Sequence, residues 1–312
     1  MSNNEKNNPM NCDPVTGLCE IPGATASTET GAILQPINRQ KPVKVLYFTD
    51  PICSSCWGVE AQLRKLKLEY GNYFEIEYRM GGLLKSWDTY GGRDVGKPTD
   101  VATHWEEASN HYQMPIDGDV WLEDPLSSSY PPSVAFKAAQ LQGEEKAQAF
   151  LRRIKEMVFL EKKNITKWEH LKQAASQTGL DAANLKAGFE GPAIELFNQD
   201  LDLARQLGVR GFPTIFFTDA NQNRFMVYGS KPYQAYEEAL LKLKPDALKQ
   251  IYNTSYESLF AQFPTLTTKE FAELSNLNFA DAELALNELH RNKKIEKQES
   301  KKGPLWKKPG DK

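Results

Sequence analysis

Apolar and polar positions alternate over Phe74–Met80, where Phe74, Ile76, Tyr78 and Met80 interleave with Glu75, Glu77 and Arg79. That is the period of a half-buried strand. Val43–Thr49 is instead an almost unbroken β-branched and aromatic run set between Pro42 and Pro51, which predicts a buried strand. Between them the period lengthens. Within residues 56–70, Leu63, Leu66 and Tyr70 recur three and four apart and Gly71 ends the run, so the stretch predicts a helix. Strand, helix and strand in such short compass form a βαβ unit, closed by Gly81-Gly82.

Helical periods then dominate, over 100–113, 133–142, 144–160, 167–178 and 191–207, with 124–132 too rich in proline to belong to a helix. Strand chemistry returns at 214–218 and 224–228 around a polar turn, and a helix over 232–243 follows before Pro245. Residues 41–245 therefore predict a mixed α/β domain with a helical insertion at 83–207. Beyond it, helices are expected at 247–263, 267–274 and 279–291, then short strands at 295–298 and 305–308 around Gly303-Pro304. Three helices and a hairpin over 246–312 predict a winged-helix-like module with a basic tail. Residues 1–40, rich in Gly, Pro, Ser, Thr and Asn without an apolar period, read as an unstructured tail.

Composition narrows the function. The 312 residues are 40% hydrophobic and 25% charged, an ordinary globular balance of two-domain length. A net charge of −3 gives nucleic acid or an acidic membrane little to attract. No apolar run nears the ~18 residues of a membrane span, and the first forty residues hold no signal-peptide core, so a cytoplasmic protein is expected. Four cysteines are too few for a disulfide scaffold and fall in two pairs, Cys12/Cys19 and Cys53/Cys56.

Cys53-Ser54-Ser55-Cys56 carries the strongest chemistry, because a strand leads into it and a helix starts at it. A thiol at a helix amino end is expected to ionise more readily, making Cys53 the nucleophile and Cys56, one turn on, the resolving thiol. The same spacing is half of a zinc site, but no second C-x-x-C follows to complete it. A second motif, Gly208-Val209-Arg210-Gly211-Phe212-Pro213-Thr214, opens a strand with a proline.

With Asp50-Pro51-Ile52 before the cysteines, Trp57 after them and the helical insertion, these motifs resemble the DsbA-like branch of the thioredoxin superfamily. The resemblance implies a thioredoxin-like α/β fold, a cis peptide at Pro213 facing the cysteines, and backbone hydrogen bonds from Phe212 to an extended substrate. The segments 118–130 (GDVWLEDPLSSSY), 135–143 (AFKAAQLQG), 162–166 (KKNIT) and, more weakly, 303–307 (GPLWK) are similar to the YjbH/SpxH family, adaptors that present a transcription regulator to the ClpXP protease. Two features depart from that family. Its members tend to carry a zinc-binding amino terminus with His and Cys, whereas this tail offers Cys12 and Cys19 without histidine. The loop before Pro213 also keeps the full form found in working oxidoreductases.

The first expectation is thus a thiol–disulfide oxidoreductase acting on protein or peptide dithiols, its dithiol serving in place of an organic cofactor. The second is a non-catalytic adaptor with a client regulator and a ClpX-type protease as partners. Cys12 and Cys19 read as a second redox pair, as zinc ligands, or as an exposed pair without a role. The module's third helix carries Asp281, Glu283 and Glu288, which repel phosphates, so protein docking is expected there and not DNA binding. His104, His111, His170 and His290 show no metal spacing. Trp57, Trp87, Trp105 and Trp121 are candidates for an apolar substrate face, and Asp50 and Glu60 for assisting proton transfer.

Overall fold

The computed structural model describes residues 11–12, 18–20, 41–89 and 95–310. In chain order, β1 (Asn11–Cys12), β2 (Leu18–Glu20), β3 (Val43–Thr49), α1 (Ser54–Gly58), α2 (Glu60–Tyr70) and β4 (Phe74–Met80) come first. The insertion supplies α3 (Pro98–Tyr112), α4 (Val120–Glu123), α5 (Tyr130–Gln140), α6 (Glu144–Leu160), α7 (Trp168–Gln177), α8 (Ala182–Phe189) and α9 (Pro192–Gln206). The chain then returns through β5 (Thr214–Asp219), β6 (Arg224–Tyr228) and α10 (Tyr233–Leu243).

The strands of this domain form one sheet in the order β1-β2-β6-β5-β3-β4, with β3 and β4 parallel and the other neighbours antiparallel. This is a thioredoxin-like α/β fold with a helical insertion, as the sequence pattern predicts. One face of the sheet packs α2 and α10 through Leu63, Leu66, Tyr236 and Leu240. The insertion packs around Trp105, Phe136, Phe150 and Phe159, in a core that Trp57, Met80 and Leu305 join from outside it.

Several local expectations need correction. The helix over 56–70 is two helices, broken at Val59. Pro131 and Pro132 are not loop residues but belong to the first turn of α5, where a missing N–H has no partner to lose. Helix α8 was not foreseen, although Asp181 caps it by accepting from Asn184 N at 2.7 Å. Two segments of the expected tail, β1 and β2, are strands. Leu18–Glu20 pairs with Phe225–Val227, the backbone that would otherwise be a bare sheet edge. The rest of residues 1–40 lies outside the described residues.

The carboxy-terminal unit comprises α11 (Tyr256–Gln262), β7 (Thr265–Thr267), α12 (Thr268–Ser275), α13 (Phe279–Arg291), β8 (Glu296–Gln298) and β9 (Leu305–Lys307), with sheet order β7-β9-β8. A helix over 247–263 is not formed; only Tyr256–Gln262 is helical. The amides of Leu248 and Gln250 are spent on the neighbouring domain instead. Leu248 N donates to Tyr73 Oη at 3.0 Å and Gln250 N to Glu69 O at 2.8 Å, leaving Leu248 and Ile251 exposed. The third strand, β7, was also unforeseen. The expected basic tail is no tail: β8 and β9 lie within it, and Lys301 on the turn between them donates to Glu106 at 3.0 Å and Asp119 at 2.7 Å of the insertion.

One carboxylate fastens this unit to the rest. Glu270, fully buried on α12, accepts Nη1 and Nη2 of Arg152 at 2.8 and 2.9 Å, and Nε of Arg64 lies 3.3 Å away. It also closes the capping box with Thr267, taking that residue's N–H at 2.8 Å. Burial pushes its pKa up, but Arg152 and then Arg64 outweigh burial and hold it below the ordinary carboxylate value. Removing one partner of a buried pair strands the others without compensation. Glu270→Ala is therefore expected to cost about 3–5 kcal/mol. Urea unfolding and limited proteolysis check this: a variant with the wild-type midpoint and an uncleaved carboxy-terminal unit would contradict it.

Candidate functional site

β3 and β5 are antiparallel neighbours with Phe48 opposite Thr214. That register sets the loop after β3, which carries the cysteines, beside the loop before β5, which carries the proline. The Phe212-Pro213 peptide is cis, as the resemblance implies, and Cys53 Sγ lies 3.6 Å from the Phe212 carbonyl oxygen. Gly81 makes the approach possible. A Cβ there would sit 2.0 Å from the Phe212 ring.

Cys53 begins α1 as its cap: its backbone is extended and its sulfur accepts from Cys56 N at 3.3 Å. Cys53 keeps 6% exposure and Cys56 none. The expectation of a readily ionised Cys53 does not hold. The hydrogen bond shared with Cys56 and then burial push the Cys53 thiol well above its ordinary value, which outweighs the short helix behind it. At Cys56 burial also pushes up, yet the hydrogen bond from Cys53 and the charge of Lys155 bring it below the ordinary thiol value. The charge of Lys155 thus favours ionisation at the inner sulfur, while the outer one lies within hydrogen-bond reach of Phe212 O.

Lys155 itself is completely buried and donates to Glu60 Oε1 at 2.8 Å. Glu60 is a candidate the sequence pattern offers, whereas Lys155 is not among those expected. The signal was there: Lys155 lies four residues after Leu151 and three before Val158, on the apolar stripe of α6, a costly place for a cation without a partner. Asp50, fully buried, accepts from Ile52 N at 3.1 Å, Leu83 N at 2.7 Å and Ser129 Oγ at 2.8 Å. It ties the cysteine loop to the turn after β4 and to the insertion. Tyr112, also missed, exchanges a 2.9 Å hydrogen bond with Ser55.

The tryptophans divide. Trp57 is fully buried, donates to Pro115 O at 3.1 Å, stacks on Phe159 and lies 4.3 Å beneath the Arg152 guanidinium. It is a packing residue, not part of a substrate face. Trp87, Trp105 and Trp121 do line a cleft of about 180 Å³ beside Cys53, together with Leu84, His104 and Phe212. In that cleft the buried Nε1 of Trp121 has no hydrogen-bond partner among the described residues. His104 joins the cleft; His170 and His290 instead bond backbone carbonyls of Asn164 and Ile295. Cys12 and Cys19 are register partners across β1 and β2.

A family model described as Thioredoxin matches residues 46–238. The ClpXP adapter protein SpxH of Halalkalibacterium halodurans is 34% identical over 96% of this chain and 97% of its own length. The protein of the same name from Bacillus subtilis is 32% identical over 86% of this chain and 90% of its own. Among solved structures, the cytosolic disulfide reductase DsbM of Pseudomonas aeruginosa superposes with a TM-score of 0.52 at 23% identity, covering 64% of this chain and 99% of its own; that likeness concerns the fold. Among the described residues no helix is long and apolar enough to cross a membrane.

Two outcomes follow from these charges. Lys155→Met should raise the Cys56 pKa, read as thiolate absorbance against pH, because the charge that favours the thiolate is gone; an unmoved titration would refute the assignment. Burial raises Asp50 from 3.8 to about 6. The folded chain then binds this proton more tightly than the unfolded chain. Stability gains from it as pH falls from about 6 toward 3.8, by up to about 3 kcal/mol, and the contribution is lost as pH rises through about 6. Urea midpoints of wild type and Asp50→Asn compared across this window should diverge accordingly, and parallel profiles would disprove it.

Proposed function

The chain belongs to the thioredoxin-like family of the SpxH proteins, and on that premise we propose that it is an adaptor that holds a client regulator and presents it to a ClpXP-type protease in the cytoplasm. One observation carries this reading. The SpxH relative matches 96% of the chain, through the carboxy-terminal unit, whereas the disulfide reductase is spanned to 99% by 64% of it. An oxidoreductase of this fold is complete without that unit. We read the unit, ordered helix, strand, helix, helix, strand, strand, as a winged-helix-type module used for protein docking. Its α13 carries Asp281, Glu283 and Glu288, which oppose a nucleic-acid backbone.

A thiol–disulfide oxidoreductase is the second reading, favoured by Cys53 lying against the carbonyl before the cis proline. In it Cys53 attacks, Cys56 resolves, Phe212 and Pro213 align the substrate, and the dithiol itself carries the electrons. The hydrogen bond with Cys56 and burial, which push the Cys53 thiol up, work against fast attack.

Degradation of an Spx-type regulator by ClpXP, with and without the chain, tests the first reading. The wild type and the Cys53→Ser/Cys56→Ser variant should accelerate it several-fold and equally. No acceleration by the wild type would sink the adaptor reading. Rapid turnover of a disulfide peptide that vanishes in Cys53→Ser would establish the second.

A further inference from the structure

A cavity of about 530 Å³, far larger than the cleft beside Cys53, opens where α2, α6 and the segment joining α11 to β7 meet. It exists because the carboxy-terminal unit docks there: Gln262, Phe263, Pro264 and Thr265 form one wall. Its volume falls in the range of ligand sites. Leu63, Ile76, Tyr78 and Phe263 give it apolar surface, while Arg64, Lys67, Arg152, Arg153 and Lys307 set five cations against the carboxylates of Glu60 and Glu156.

These cations are not equivalent. Arg64 and Arg152 are held by Glu270, and Arg153 lies 2.7 Å from Glu161. They are fixed wall. Lys67 and Lys307 come from the two separate units, both line the cavity, and among the described residues neither ammonium has an ion-pair or hydrogen-bond partner. Two uncommitted cations facing one apolar-walled space, in a chain whose net charge is −3, mark a place that attracts anions against the overall field.

We propose that this cavity binds a peptide segment that bears carboxylates next to apolar side chains. The carboxylates pair with Lys67 and Lys307 at the rim, and the apolar side chains cover Ile76, Tyr78 and Phe263. The apolar walls and the volume exceed what a lone inorganic anion fills, and the charge excludes a basic segment. The site deepens the adaptor reading, since the identity of the segment as part of a client rests on it; binding itself does not.

The test uses the full chain and a fluorescein-labelled peptide alternating Glu with Leu and Phe, its Lys-for-Glu counterpart, and inorganic phosphate as competitor. The acidic peptide is expected to bind and the basic one not. Lys67→Glu combined with Lys307→Glu should weaken binding about tenfold or more, a change of about 1.4 kcal/mol or more. Ala149→Trp, which fills the cavity from the exposed side of α6 without touching a charge, should weaken it as well, with the thermal midpoint unchanged in each variant. Equal binding of both peptides, wild-type affinity in the variants, or no binding overturns the proposal. Complete displacement by phosphate at a concentration that leaves ionic strength unchanged would also overturn it, in favour of a free-anion site. Because degradation by ClpXP is read separately, failure here leaves the adaptor reading standing or falling on its own assay.

Discussion

The whole arrangement turns on a carboxylate that solvent never reaches. Glu270 caps α12, grips Arg152 with both oxygens and holds Arg64 from a third element. Arg152 in turn lies over Trp57, one residue beyond Cys56. A carboxylate pays for burial only when every lone pair finds a donor, so its position leaves little freedom to α2, α6 or α12. Docking of the carboxy-terminal unit and support of the dithiol are therefore one construction. A second, more exposed contact, Lys301 with Glu106 and Asp119, steadies the far edge of the unit but is of the kind that water and salt weaken.

Around the cysteines, register and hydrogen bonds fix the loop while burial opposes ionisation of the outer thiol. The register of β3 and β5 delivers Cys53 to the cis proline, and Asp50 fixes the loop through three hydrogen bonds. Yet the cation in the site, Lys155, favours ionisation of the inner sulfur, while the hydrogen bond with Cys56 and burial push the outer thiol up.

Most of the domain was legible because its elements announce themselves locally. Alternation in Phe74–Met80, the apolar run of Val43–Thr49 and the long periods of α6 and α9 each describe a face that must be buried. What escaped was decided elsewhere in the chain. Residues 247–255 have a passable helical period, but the amides of Leu248 and Gln250 are taken by Tyr73 and Glu69, far earlier in the chain. Trp57 and the cleft-lining tryptophans look alike in sequence, and Trp105 packs on Phe159 as Trp57 does; the Arg152 guanidinium over Trp57 and its bond to Pro115 O tell them apart. The cysteine and proline motifs were readable as a pair through resemblance to known proteins, whereas Lys155 required noticing a charge on an apolar stripe.

The contact between Gly81 and Phe212 has a consequence for how this fold can change. The ring of residue 212 occupies the space that any side chain at position 81 would need. The two positions, on different strands' ends and far apart in the chain, share a single side chain's volume between them. Enlarging one demands shrinking the other, so the wall beside Cys53 can be redrawn only by a paired exchange, and never by a single step at Gly81.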